Sequence, residues 1–168
     1  MDRLPRFVTA RLAVSPWEAE LRARRDGLAG ELAAVVTSEV TAFLPPGLQV
    51  TAGDTDMAVW AEDLAGDAAV SLLRRDGVLA GLLILDLAEV GCIRIGYLLG
   101  RSFWGQGLAS ELVVGFVAHL QALGFVGEVV GGVEPGNPAS AAVLLKAGFH
   151  EVPGAGTGEA VDYKRRIG

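Results

Sequence analysis

The stretch Ile93-Arg94-Ile95-Gly96-Tyr97-Leu98-Leu99-Gly100-Arg101-Ser102-Phe103-Trp104-Gly105-Gln106-Gly107-Leu108-Ala109-Ser110 decides the fold. It opens as an apolar run, Ile93–Leu99, of strand length. It closes as the start of a helix over Gly105–Leu123, in which Leu108, Leu112, Val113, Phe116 and Leu120 recur at helical spacing. Between them, Gly105 and Gly107 leave room for the backbone to approach a ligand closely. The unpaired amides of a first helical turn carry partial positive charge, which favours a phosphate or pyrophosphate there. Ala109 is small enough to let the helix start lie against a sheet. Two glycines at a strand-to-helix junction also serve as a plain turn. A dinucleotide-binding fingerprint does not fit, because the three-glycine spacing is absent and several strands precede the motif.

Downstream, Phe125–Val133 is strand-like and runs into Glu134-Pro135-Gly136-Asn137-Pro138-Ala139-Ser140. Asn137 before Pro138 reads as a helix cap with proline at the first helical position. The helix Pro138–Ala147 stops at Gly148, and Phe149–Val152 and Val161–Ile167 are final strands around a loop at Gly154–Gly158. Upstream, Ala69–Arg75 and Val78–Ala88 flank Asp76-Gly77, a strong hairpin signal. Arg11–Val14 is a short strand. Ser15 and Pro16 then read as cap and first position of a helix that runs from Trp17 to about Val40 and is divided at Gly27 and Gly30. Pro45-Pro46-Gly47 marks a loop, and Asp54–Leu64 a further helix. The order predicts a mixed α/β layer around one sheet, with residues 1–168 as a single domain.

The 168 residues suffice for one domain with a substantial core, and 51% of them are hydrophobic. A net charge of −6, from 14 basic and 20 acidic residues, disfavours nucleic acid as the main partner. No apolar run is long enough for a bilayer and no targeting segment stands out, so no membrane role is expected. Cys92 is the only cysteine, which excludes an internal disulfide and suits a reducing cytoplasm.

Three segments together resemble successive signatures of the GNAT superfamily of N-acetyltransferases. They are Ile95–Leu99, Phe103–Glu111, and Asn137–Ser140 continuing to Lys146-Ala147-Gly148-Phe149. The closer likeness is to the branch of ribosomal-protein N-terminal (RimJ/RimL-like) acetyltransferases, whose first strand Thr9-Ala10-Arg11-Leu12 also resembles. The resemblance implies a largely antiparallel central sheet, with flanking helices and one pair of parallel strands, Ile93–Leu99 and Phe125–Val133, that splay apart. Acetyl-CoA, as acetyl donor, would lie in that cleft. By position, Leu98 and Leu99 would meet the pantetheine arm. Trp104, Gly105, Gln106, Gly107, Leu108, Ala109 and Ser110 would cradle the pyrophosphate. Asn137 and Ser140 match positions that contact the cofactor or organise the reaction centre. The acceptor would be a primary amine, a protein N-terminus or a small molecule. The family also admits a homodimer, on which the sequence is silent.

Acetyl transfer to an amine needs a neutral nucleophile, stabilisation of the thioester oxygen and a proton for the leaving thiolate. A backbone amide near Leu98 meets the second need. Many superfamily members place a tyrosine acid on the last helix, where this chain has Leu144. Glu89 is a candidate base acting through water, or else a solvated strand-end carboxylate. Glu111 is within the first turns of the cofactor helix, either serving its dipole or reaching the amine. Tyr97 reads as a packing residue and Cys92 as an inert thiol. His119 and His150 have no metal-ligand company, so no metal centre is expected. The absence of a clear acid and base keeps an alternative open, a non-catalytic acyl-CoA-binding or sensory domain.

Overall fold

The computed structural model describes residues 6–24, 27–51, 53, 55–154 and 159–168. Strands β1 (Phe7–Val8) and β2 (Ala13–Pro16) come first, followed by helices α1 (Trp17–Arg24), α2 (Leu28–Val35), α3 (Ser38–Thr41) and α4 (Met57–Asp67). Next are strands β3 (Ala69–Arg75), β4 (Val78–Asp86) and β5 (Cys92–Leu99), then helix α5 (Leu108–Ala122) and β6 (Gly127–Val133). Helix α6 (Pro138–Lys146) and strands β7 (His150–Val152) and β8 (Val161–Ile167) complete the chain. The strands form one sheet in the order β1-β2-β3-β4-β5-β6-β8-β7. Every pairing is antiparallel except that of β5 with β6. This is the mixed, largely antiparallel sheet that the sequence predicts.

Alternation along the strands sends successive side chains to opposite faces, and each face has its own core. Ile93, Ile95 and Leu99 of β5 pack with Leu108, Leu112, Phe116 and Leu120 of α5 and Leu144 of α6. Leu98 joins Leu72 and Leu82 on the other face, under Leu28 and Leu32 of α2 and Trp60 and Leu64 of α4. The Asp76-Gly77 hairpin forms as predicted. Both residues have positive φ, 50° and 80°, the conformation that a two-residue turn of primed type requires.

Several boundaries differ from the sequence reading. Ser15 is not a helix cap, because β2 runs on through Ser15 and Pro16, paired with Leu72 and Ser71 of β3. Proline is tolerated there because β1 pairs only with Ala13 and Val14, so no neighbour on that side asks for its missing N–H. The helical stretch after Trp17 is three helices rather than two. Gly30 lies inside α2, and the second break falls at Thr37, whose hydroxyl caps α3 by accepting from the Val40 amide at 3.3 Å. Asp56 caps α4 through the Ala58 and Val59 amides, and the helix extends to Asp67. Asp54 and residues 155–158 of the glycine-rich stretch lie outside the described residues. Helix α5 starts at Leu108 rather than Gly105, since Gly105 and Gly107 have φ of 71° and 75°, outside the helical range.

The helical layer over β3 is pinned by one guanidinium. Arg74, which is buried, bonds Glu20 of α1 at 2.8 Å, both carboxylate oxygens of Glu31 of α2 at 2.9 Å, and the Gly77 carbonyl at 3.0 Å. Removing one partner of such a cluster leaves an uncompensated buried charge, which costs about 3–5 kcal/mol. Arg74→Met is therefore expected to lose about that much stability in urea unfolding, through the buried Glu20. Restoring neutrality with Glu20→Gln in the same chain should recover part of it.

Candidate active site

The parallel pairing of β5 with β6 lasts for three residues, Cys92 with Glu128, Ile93 with Val129 and Arg94 with Val130. Beyond Arg94 the two strands part. β5 continues through Leu99 on β4, and β6 continues through Val133 on β8. The result is a wedge between Ile95–Leu99 and Gly131–Val133. Gly131 has no side chain to fill it, and a Cβ there would meet Leu144 Cδ1 at 2.8 Å.

The junction from β5 to α5 closes the wide end of this wedge. Arg101–Phe103 makes a 3-10 turn. The Trp104 indole then folds back and donates to the Leu99 carbonyl at 2.7 Å. The Leu98 carbonyl is turned against Gly81 of β4, where any Cβ would collide with it. The Leu99 carbonyl thus has a protein donor, and the Leu98 carbonyl is directed at β4. The Arg101 guanidinium lies 4.8 Å above the half-exposed Trp104 ring. Gln106 braces the loop by donating to the Ser102 carbonyl at 2.8 Å, and its side-chain oxygen accepts from Arg75. Gly107 precedes α5 in the left-handed conformation, with no side chain capping the helix. The first-turn amides of Leu108, Ala109 and Ser110 therefore have no capping side chain.

This junction is held by a contact that the sequence reading did not find. Glu111 Oε1 accepts from the Thr9 hydroxyl at 2.5 Å and the Arg11 amide at 2.7 Å, and Oε2 from Arg11 Nε at 2.7 Å. Arg11 in turn donates to the Gln106 carbonyl at 2.9 Å. Glu111 is therefore the clamp between the β1–β2 turn and α5, and its oxygens are not free to attract a substrate amine. Partial burial works to raise the Glu111 pKa, but the Thr9 and Arg11 hydrogen bonds outweigh it and hold the carboxyl below its usual value.

Across the wedge, Asn137 and Ser140 lie together at the start of α6. Asn137 Oδ1 caps α6 by accepting from the Ser140 amide at 3.2 Å. The Ser140 carbonyl accepts from the Tyr97 hydroxyl at 3.4 Å. Tyr97 thus does more than pack: it spans from the β5 wall of the wedge to the first turn of α6. Burial pushes its hydroxyl pKa up to about 12, so it stays protonated. The Ser140 hydroxyl has no hydrogen-bond partner among the described residues. Leu144 lies buried on Gly131 and carries no proton.

Glu89 is not brought to this site. It lies exposed in the turn before β5, where its carbonyl accepts from the Cys92 amide. That is the opposite end of the strand from Leu98 and Leu99, about 20 Å away at 3.3 Å per residue. Its reading as a base is corrected to that of a solvated turn carboxylate. The Cys92 thiol is pushed up by burial and by Glu89, which suits the inert reading. The groups that sequence reasoning missed at the closed end of the wedge are Arg94 and Asp162. They lie 68 positions apart and form a two-pronged ion pair, with Arg94 Nη2 2.8 Å from Asp162 Oδ2 and Nη1 3.3 Å from Oδ1.

A wedge between parallel strands, followed by an uncapped, glycine-bounded helix start, offers an extended slot with an anion-favouring end. A family model described as an acetyltransferase (GNAT) domain matches residues 18–150, and the chain belongs to that family, whose members move an acetyl group from acetyl-CoA to an acceptor. Among solved structures, an acetyltransferase from Agrobacterium tumefaciens str. C58 is 22% identical, with 98% of this chain and 96% of that one covered and a TM-score of 0.66. RimL, a ribosomal L7/L12 α-N-protein acetyltransferase solved in complex with coenzyme A, is 21% identical over 96% of this chain and 97% of its own, with a TM-score of 0.66. An acetyl transferase from Salmonella typhimurium, which modifies the N-terminal serine of the 50S subunit protein L7/L12, is 22% identical over 95% and 97%, with a TM-score of 0.63. At these identities the likeness is one of fold. Comparison with curated protein sequences gives no significant match.

The Glu111 clamp yields a pH-dependent expectation. A carboxyl with a lowered folded-state pKa adds stability that is fully present above its unfolded value, about 4.3, and is lost as pH falls through the folded value. Glu111→Gln should therefore unfold at lower urea concentration than wild type at pH 7. The two midpoints should converge as the pH is taken below about 4.

Proposed function

We propose that this chain transfers the acetyl group of acetyl-CoA to the α-amino group of a protein or peptide by direct attack. The observation that carries the reading is the parting of β5 from β6 immediately before the uncapped start of α5. It provides an extended slot and an anion-binding end in one place. The amides from Trp104 to Ser110 would cradle the pyrophosphate, because a helix N-terminus of this kind favours negative charge. The backbone of Leu98 and Leu99 would border the pantetheine arm. Asn137 has spent its oxygen on the α6 cap, so the NH₂ half of its amide is what remains to donate to the cofactor. Acetyl-CoA supplies the activated acyl group.

The protein's own contribution is chiefly positioning, which can supply several kcal/mol of a two-substrate barrier. The Ser140 hydroxyl, unpartnered and on the first turn of α6, is proposed as a proton relay: it takes the proton that the attacking nitrogen gives up as the N–C bond forms and passes its own to the sulfur as the C–S bond breaks. Tyr97, held protonated, fixes the turn on which Ser140 sits. Among the described residues, no buried carboxylate lies along the β5 wall of the wedge to take the amine proton, so the amine is proposed to arrive neutral or to lose its proton to water. A peptide acceptor is supported by the likeness to RimL, which acts on a ribosomal-protein N-terminus. The single half-buried thiol of Cys92 supports a reducing cytoplasm as the setting. Among the described residues, no helix is long and apolar enough to cross a membrane.

Two variants test this reading. Gly107→Glu forces a side chain into a left-handed position with φ of 75° and puts a negative charge at the anion-binding end. It should weaken acetyl-CoA binding at least tenfold in isothermal calorimetry, and unchanged affinity in a folded sample would overturn the cofactor assignment. Asn137→Ala should cost about 1 kcal/mol of stability as a lost cap but reduce turnover by more than tenfold. Full activity would reduce Asn137 to a cap alone.

A further inference from the structure

The two faces of the wedge are unlike. On the α5–α6 side, Tyr97 crosses from β5 to α6 and closes it. On the opposite side, the residues that alternate with Tyr97 are Arg94, Gly96 and Leu98. Gly96 presents no side chain, and on β6 neither does the exposed Gly132. Gly96 and Gly132 thus leave the backbone of the wedge uncovered by side chains of their own on this second face. There the Arg94 side chain leaves β5 at the last paired residue, passes over β6 and meets Asp162 on β8 beside Gly132. The Asp162 Oδ1 atom lies 3.6 Å from where a Gly132 Cβ would stand.

The pair is lopsided. The Asp162 side chain is 3% exposed, whereas that of Arg94 is 41% exposed. Asp162 is buried at the root of the pair and has both oxygens on Arg94. Arg94 uses two N–H groups for this and retains three, with no further partner among the described residues. A buried carboxylate that fixes an exposed guanidinium at the rim of an opening is a device for holding an oxygen acceptor in a set direction.

We propose that Arg94 is the acceptor-binding residue of this enzyme and Asp162 the residue that positions it. The acceptor it selects is an α-amino acyl group, in which the attacking nitrogen is one carbon away from a carbonyl or carboxylate oxygen. This rests on the acetyltransferase reading above. The guanidinium takes the oxygen while the neighbouring nitrogen turns away from the vertex, into the opening between Ile95–Leu99 and Gly131–Val133. An aliphatic amine offers no such oxygen and gains nothing from Arg94.

The test compares three acceptors on the full chain with saturating acetyl-CoA: a tetrapeptide with a free N-terminus, free alanine and propylamine. Wild type should favour the peptide or alanine over propylamine by at least tenfold in kcat/KM, and which of the two it favours separates a peptide carbonyl from a free carboxylate as the oxygen. Arg94→Gln should raise KM for the favoured acceptor at least tenfold with kcat within about threefold, and should collapse its advantage over propylamine. Asp162→Asn should move KM in the same direction by less. Since either single change can strain the fold, the paired variant Arg94→Gln/Asp162→Asn, which leaves no buried charge unpaired, must show the same loss of discrimination. A wild type without preference for the acyl oxygen, or variants that lose all three acceptors in proportion, would overturn the assignment. Calorimetry with acetyl-CoA separates this from failure of the underlying reading: a wild type that binds no acetyl-CoA overturns that reading, and with it this one.

Discussion

Everything in this site depends on β5 and β6 separating after three paired residues. A parallel pair that ran its full length would satisfy every facing backbone group and leave a continuous sheet with nowhere for a ligand. Parting them leaves the backbone groups that face into the wedge without a sheet partner, while the groups on the outer edges of the two strands stay paired. β4 holds β5 through Gly81–Leu99 and β8 holds β6 through Val133–Val161. Each wall of the wedge is thus half of a separate antiparallel ribbon, and the opening can stay rigid without a ligand in it.

That rigidity has to extend to the loop at the wide end, which is built from residues with little intrinsic order. Gly105 and Gly107 give the loop its shape, but glycines do not hold it. The holding is done by side chains from other parts of the chain. The Trp104 indole donates to the end of β5, Arg75 bonds to Gln106, and the Arg11–Glu111 clamp ties the start of α5 to the β1–β2 turn. Arg11 is 40% exposed and Glu111 17%, so the ion pair alone is worth little. What makes it a clamp is the number of donors converging on one carboxylate: a hydroxyl, a backbone amide and a guanidinium.

The sequence showed what short-range pattern can show. The apolar run Ile93–Leu99, the two glycines and the periodicity of α5 located the strand, loop and helix that border the wedge within a few residues, and Asn137-Pro138 located the cap of α6. The resemblance supplied the splay. Errors fell where a local signal competed with tertiary pairing: Ser15-Pro16 has the chemistry of a helix start but is held as strand by β3. The important omissions were long-range. Glu111 lies 102 positions from Thr9 and 100 from Arg11, and Arg94 and Asp162 are 68 apart, so no window of sequence contains either group. Glu89 shows the converse. A carboxylate close in sequence to a wall of the wedge reads as part of the site, yet strand geometry puts it at the far end.

Arg94 sits where these constraints meet. As the last residue of β5 paired with β6, it stands where the sheet stops being continuous, and its own backbone is fixed on both sides. Its side chain then reaches across β6 to β8, which ties the two ribbons together at the vertex of the wedge through charge rather than through the backbone ladder. Burying Asp162 to do this is costly, because a carboxylate removed from water must be repaid by its partner. Two well-packed apolar residues would join the ribbons at lower cost. A charged pair in their place leaves its cationic end in solvent on the Gly96–Gly132 face of the wedge, where its remaining N–H groups are free to hold an oxygen acceptor.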